Sequence, residues 1–306
     1  MYDVMCIGQT FCDLIFSDLE VFPELKKEMR SKNFYIKPGG AVNTPTALSK
    51  LGVEALFCTT VGNDILGEII YDNISESGID LSAVIRDDAY RTSVSAVLSM
   101  GEERGFATYF APFDYKRIVK EIEKYAQCCT HIHAYLEDCL HIPIVDIAKK
   151  YNKTLSIDTG WDEAIKFDHI KHIIAGSTIF MMNEIEAMSI TEANTIEEAI
   201  EMVSKYAEIA VIKLGKYGCL VKRGSEVIKV PSISSIHAVD STGAGDLFGA
   251  GFIYGHIKKW NLERCAKFAT ASGNLAVTFY GGMDESYTLD KVESFYNMVI
   301  TQKVTK

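Results

Sequence analysis

The stretch from Thr130 to Leu214 holds four short apolar runs, THIHA (130–134), TLSID (154–158), TIFMM (178–182) and AVIKL (210–214). An amphipathic segment of helical period separates each run from the next. This is the rhythm of strand–helix–strand units, because a strand can pair in parallel with its successor only if a covering helix carries the chain back. The alternation extends toward the N-terminus. VMCI (4–7) is a strand ending at Gly8, and ALFCTTV (55–61) is another. Helices over Asn43 to Leu51 and Asp64 to Ser77 flank it, each stopped by a glycine, Gly52 or Gly78. The expected class is α/β with a mostly parallel central sheet.

Two places break the rhythm. Val94, Ala96 and Leu98 alternate with Ser93, Ser95 and Ser99, and after the turn GEER (101–104) comes FATYF (106–110), which predicts a hairpin. A hairpin fits badly into a parallel sheet. With LIF (14–16) and FYI (34–36) it is expected to form a small sheet standing off the main layer. A second hairpin, GCLVKR then EVIKV within 218–230, is placed at the edge of the main sheet.

Bulk properties exclude several classes. With 306 residues, 48% hydrophobic and 24% charged, the chain is long enough for one large core and has no disordered composition. A net charge of -10 opposes nucleic-acid binding, which draws its affinity from neutralising phosphates. Asp3 and Asp13 interrupt the apolar N-terminus and no basic residue opens it, so a secretory signal is not expected. No run is long enough to span a membrane. Eight scattered cysteines suit a reducing cytoplasm.

The chemistry concentrates in DSTGAGD (240–246), followed by LFGAGFIYGHI. Small residues at Gly243, Ala244 and Gly245 let the backbone turn tightly and aim successive N–H groups at one point where a helix begins. Phosphoryl transfer spreads negative charge over the moving oxygens, and fixed amide dipoles stabilise it without reorganising. Asp246, one step beyond, is placed to accept the proton of an attacking hydroxyl. The same letters also suit a glycine-rich turn with a capping aspartate. Aspartates at both ends of the loop, and the small residues Gly249, Ala250 and Gly251 in the helix it opens, favour the site.

With the AGFI that follows, this loop resembles position by position the C-terminal signature of the ribokinase-like (PfkB) carbohydrate kinases. The resemblance runs from Gly8 to Gly282, with motifs in the family's order. It implies a three-layer α/β/α fold with a small inserted β-sheet lid. The large unit would be 1–12, 38–90 and 114–306, and the lid 13–37 and 91–113. It implies ATP and Mg²⁺, a small sugar-like acceptor phosphorylated on a hydroxyl, Asp246 as general base, and Gly243, Ala244 and Gly245 as the anion hole. PGGAVN (38–43) is similar to the family's sugar signature, so Gly39, Gly40 and Asn43 would bind substrate, together with Asp13. Pro45 departs from the pattern, although proline is tolerated in a first helical turn.

MMNEIEA (181–187) sets Asn183 and Glu186 three apart after a strand. From the residues alone, a capped helix and a phosphate or hydrated Mg²⁺ site are equally satisfied. The family's N-x-x-E tips this to nucleotide binding, with Glu186 reaching Mg²⁺ through water. KLGKYG (213–218) resembles the nucleotide turn, which gives Lys213, Gly215 and Gly218 that role, and Thr270 and Gly281 match the adenine region. Asp240 and Thr242 match a monovalent-cation site, for K⁺, found in several relatives.

Other chemistries fail on spacing. Lys216 follows Gly215 but precedes Tyr217, so there is no P-loop, and Gly8 stands alone where a dinucleotide fold needs three glycines. His131 and His133 share a strand face near Cys128, Cys139 and His141, in no known zinc spacing; they are candidates for the substrate pocket. A nucleoside acceptor, with Tyr109, Phe110 or Phe113 stacking on a base, and a non-catalytic sugar sensor are the rivals. Arg91 and Arg104 on the lid suggest a carboxylated sugar, or sit in solvent. A homodimer through the lid is the expected assembly.

Overall fold

The apolar runs become strands because each is buried on both sides. All eight residues of Ala55–Gly62 are buried, which is how a central strand of a parallel sheet reads when helices cover both faces. The computed structural model describes residues 1–101, 103–160 and 165–301. In chain order the strands are β1 (Tyr2–Ile7), β2 (Thr10–Ser17), β3 (Asn33–Gly40), β4 (Ala55–Gly62), β5 (Val84–Asp87), β6 (Ser93–Met100) and β7 (Glu103–Tyr109). They continue with β8 (Cys129–Tyr135), β9 (Thr154–Asp158), β10 (Ile179–Asn183), β11 (Ile209–Lys213), β12 (Cys219–Arg223) and β13 (Glu226–Val230).

Nine of them form one sheet in the order β13-β12-β11-β10-β9-β8-β1-β4-β5. Pairing is parallel from β11 through to β5, and the β12–β13 hairpin adds two antiparallel strands at one edge. Alternate residues of each strand feed two separate cores. On one face Phe57, Met181 and Val211 pack against the helices Asn43–Lys50, Ala244–Ile257 and Leu262–Ala276. On the other, Leu56, Phe180 and Ile212 pack against Tyr115–Ala126, Phe167–Gly176 and Ile196–Val203. The result is a three-layer α/β architecture.

The remaining four strands make a small sheet, β3-β2-β6-β7, with a parallel pair, β2–β6, at its centre. Both expected hairpins are present, although Glu102 of the GEER turn lies outside the described residues. The small sheet begins at Thr10, so Asp13 lies inside a strand and not in the loop after the first one. The edge strand β5 has no counterpart in the sequence reading; at four residues, VIRD is too short to show a period.

Helix ends follow local chemistry. Asp64 Oδ1 accepts from the Gly67 amide at 2.8 Å and opens Ile65–Ser75, and Gly52 and Gly78 follow their helices at φ +80° and +79°. All eight cysteines are free thiols. Among the described residues no helix is long and apolar enough to cross a membrane. Phe57 is 0% exposed, and replacing it with alanine opens a cavity in the inner layer. Chemical denaturation of Phe57→Ala should show a loss of about 3–5 kcal/mol of unfolding free energy.

Candidate active site

The parallel sheet ends in a row of polar side chains. Tyr135, Asp158, Asn183 and Lys213 close the neighbouring strands β8, β9, β10 and β11, with Tyr135 in register with Asp158 and Asn183 with Lys213. Ligands of open α/β sheets gather at these carboxyl ends. The glycine loop delivers Asp246 to the same row.

Gly243 has φ +72°, and a Cβ there would come within 2.5 Å of the Gly282 Cα, so both the conformation and the close approach demand glycine. Immediately after it begins the helix Ala244–Ile257. The Ala244 amide bonds to the Ser241 carbonyl at 3.2 Å, while those of Gly245 and Asp246 find no backbone acceptor among the described residues. Two free donors at a helix N-terminus form an anion site. A Cβ on Gly245 would stand 3.3 Å from Lys213 Nζ, which puts a cation against the same turn.

The Asp246 carboxylate has one donor per oxygen: Asn43 Nδ2 donates to Oδ2 at 2.8 Å and the Tyr135 hydroxyl to Oδ1 at 3.0 Å. Thr44 Oγ1 lies 3.0 Å from that hydroxyl and completes the relay as a donor to Tyr135. Burial raises the Asp246 pKa; the Asn43 hydrogen bond, the Lys213 charge and the Tyr135 hydrogen bond pull it back only in part. A carboxylate raised in this way is a better proton acceptor than a solvated one. Asn43 Oδ1 is buried without a partner among the described residues, so the amide still has an acceptor to offer.

Asp13 occupies the opposite side. It is 8% exposed, and its carboxylate lies on the Gly39 backbone so closely that a Cβ there would be 1.9 Å away. Burial and then the Asp246 charge push its pKa up to about 7. A carboxylate without a donor among the described residues, next to a second one, suits the hydroxyls of a polyol. Gly40, at φ +71°, presses against Phe11, and Pro45 lies buried in the first turn of the helix Asn43–Lys50.

Asn183 and Glu186 form a reciprocal capping box, with Glu186 N donating to Asn183 Oδ1 and Asn183 N to Glu186 Oε2, each at 2.8 Å. Thr159 Oγ1 donates to the same Glu186 oxygen. Lys213 Nζ donates to both Asp158 oxygens, at 2.7 and 2.8 Å. Burial alone would lower the lysine, but the Asp158, Glu186 and Asp246 carboxylates outweigh it and hold it charged. Gly215 and Gly218 take φ +53° and +96° around a short turn, and a side chain on Gly218 would strike the Val230 carbonyl. Thr270 is turned inward, donating to the Ala266 carbonyl of its own helix at 2.9 Å beside Cys219.

Three expectations change. Asp240 and Thr242 do not offer an open cation cage: the Arg104 guanidinium makes an ion pair with Asp240 at 2.6 Å and donates to Thr242 Oγ1 at 2.7 Å, so a fixed cation stands where K⁺ was expected. His131 and His133 do not line the pocket. They lie inside the sheet, bonded to Thr154 and Ser156, and burial pushes both pKa values down, that of His133 to about 3. Among the described residues no cluster of metal ligands exists. Of the stacking candidates, Phe113 packs against Tyr90 and Tyr115, and the register puts Tyr109 on the sheet face opposite Asp13. Arg91 is exposed.

Tyr135 and Asp158 were missed by sequence reasoning. Asp158 is the last residue of the predicted strand TLSID and Tyr135 directly follows THIHA, and a place at a strand's carboxyl end was the available signal.

Known proteins resemble this chain in sequence and fold. The chain is 25% identical over 312 residues to the ATP-dependent 6-phosphofructokinase of Thermoanaerobacterium thermosaccharolyticum, covering 97% of this chain and 94% of that one. It is 30% identical over 251 residues to an uncharacterised sugar kinase of Archaeoglobus fulgidus, covering 78% of this chain and 96% of that one. Its fold matches a candidate ribokinase II of E. coli, solved with ATP and Mg²⁺, at TM-score 0.84 and 23% identity over 97% of this chain and 99% of that one. The family model described as pfkB family carbohydrate kinase matches residues 1–288, and this chain belongs to that family.

Proposed function

We propose that the chain transfers the terminal phosphoryl group of ATP to a hydroxyl, primary by preference, of a small sugar or sugar derivative. One observation carries this reading: the free amides of the Gly243–Asp246 turn and a carboxylate of raised pKa stand at the same point. Asp13 and Asn43 hold the acceptor, with Gly39 and Gly40 leaving room for its approach. Asp246 takes the hydroxyl proton as the phosphoryl group moves in line, and the free amides of Gly245 and Asp246 receive the charge that develops. The small sheet acts as a lid that excludes water.

The nucleotide is assigned to the row of strand ends, over Asn183, Lys213, Gly215 and Gly218. Asp158, Glu186 and Asp246 surround the single Lys213, an excess of carboxylates that fits a divalent cation arriving with the phosphates. Mg²⁺ would be held through water by Glu186 and would neutralise phosphate charge. Asp240 and Thr242 do not fit a monovalent ion, and no step is assigned to one. The outer face of the small sheet carries Phe34, Ile36 and Tyr109, exposed by 50%, 36% and 52%, which supports a homodimer through it. The free thiols support a cytoplasmic location.

Asp246→Asn keeps the shape and removes the base. Turnover measured by ATP consumption on an accepted sugar should fall by about 10²- to 10⁴-fold with little change in KM; near-parental turnover would remove the assignment. Protonation of Asp13 or Asp246 abolishes the acceptor each must provide, so activity is lost as pH falls. For the parent, kcat/KM should decline below pH 7 by about tenfold per pH unit, and Asp13→Asn should flatten the limb near the value of about 7 set by Asp13. Tyr135→Phe removes a hydrogen bond that favours the charged form of Asp246, so the acid limb of its kcat profile should move to higher pH. An unmoved limb would show that Tyr135 only packs.

A further inference from the structure

Arg104 is a largely buried cation that, among the described residues, is only half used. It projects from β7, and its side chain is 9% exposed. Among the described residues its polar contacts run through one nitrogen: Nη1 makes the ion pair with Asp240 at 2.6 Å and donates to Thr242 Oγ1 at 2.7 Å and Ser241 Oγ at 3.3 Å. Nε is buried with no partner among the described residues. In the planar guanidinium Nε and Nη2 share the edge facing away from Nη1, and two parallel N–H groups on such an edge match the two oxygens of a carboxylate or phosphate. Leaving a charged donor buried and unpaired is costly unless a ligand satisfies it.

The edge belongs to the substrate side of the small sheet. Asp13 is in register with Ser95, and Arg104 with Ser99 four residues on. Side chains alternate across a strand, so Asp13, Ser95, Ser99 and Arg104 share a face. Lys37, opposite Asp13 in register, adds a second cation to that face, donating to the carbonyls of Tyr280 and Met283. The Asp240 carboxylate is already occupied, since it also accepts from the amides of Thr242 at 2.6 Å and Gly281 at 2.9 Å. It cannot turn to the free edge without abandoning these bonds.

We propose that Arg104 binds an oxyanion of the acceptor: Nη1 braces the start of the glycine loop, while the Nε–Nη2 edge receives a carboxylate or phosphate carried by the sugar. The acceptor is then an acidic sugar. This rests on the kinase reading above and narrows its substrate class.

The test compares 2-keto-3-deoxygluconate and fructose 6-phosphate with fructose and ribose, by ATP-dependent turnover and by calorimetric binding, in the parent and in Arg104→Lys. Lysine keeps the charge beside Asp240 and loses the second N–H edge. The parent should prefer one acidic sugar over the neutral ones by roughly 10- to 100-fold in kcat/KM, and which acid it prefers separates carboxylate from phosphate. Arg104→Lys should erase most of that preference. Damage to the loop falls on both classes alike, so the extra loss on the acidic sugar is what reports the edge. Equal use of acidic and neutral sugars by the parent, or equal losses in the variant, overturns the proposal. Absence of phosphorylation of any sugar would sink the kinase reading instead, and the calorimetric preference for acid over neutral sugar would then decide the oxyanion edge by itself.

Discussion

The site depends on how one carboxylate is held. Asp246 sits at a helix start that favours negative charge, yet it is withdrawn from water, which opposes it. Two neutral donors, Asn43 and Tyr135, settle the balance without supplying a full charge. A direct ion pair would have held the carboxylate so low that it could not accept a proton. The Lys213 ammonium is instead committed to Asp158, two strands away at the end of β9. Separating the lysine from Asp246 leaves that carboxylate able to accept a proton and keeps positive charge near the turn.

That geometry needs elements far apart in the chain. Asn43 comes from the helix after β3, Tyr135 from the end of β8, Lys213 from the end of β11, and the turn itself is wedged against Gly282. Each is rigid for its own reason: strand register for Tyr135 and Lys213, backbone contact for the turn, and the Gly282 backbone against the side chain of Asn43. A site assembled from strand ends and helix starts positions its groups more tightly than mobile loops would.

Much of this was legible in the sequence because period and punctuation are local. The strands TLSID and ALFCTTV, the glycine stops at Gly52 and Gly78 and the hairpin at Ser93 read directly from neighbouring residues. The turn at Gly243 was legible as a tight turn opening a helix, from its run of small residues between two aspartates. What stayed hidden was set by pairing across the fold. Nothing near Arg104 in the chain announces Asp240, and nothing near Tyr135 announces Asp246. His131 and His133 looked chemical in a linear reading; only the neighbouring strand, with Ser156 between the two rings, turns them into neutral interior residues. Asn183 and Glu186 show the limit from the other side, because the same two side chains satisfy a helix cap whatever else they do.

The parallel pairing of β2 with β6 also bears on the order of assembly. The two strands are separated by β3, β4, β5 and two helices, so their contact closes a long loop, whereas β2–β3 and β6–β7 are joined locally. Closing long loops costs entropy that only later contacts offset, and such pairings form slowly. The two halves of the small sheet are therefore expected to meet after β1, β4 and β5 have docked. During synthesis the cleft beside Asp13 is expected to come into being late, over a sheet edge already in place, with the apolar strands that build it exposed in that interval to neighbouring chains and to chaperones.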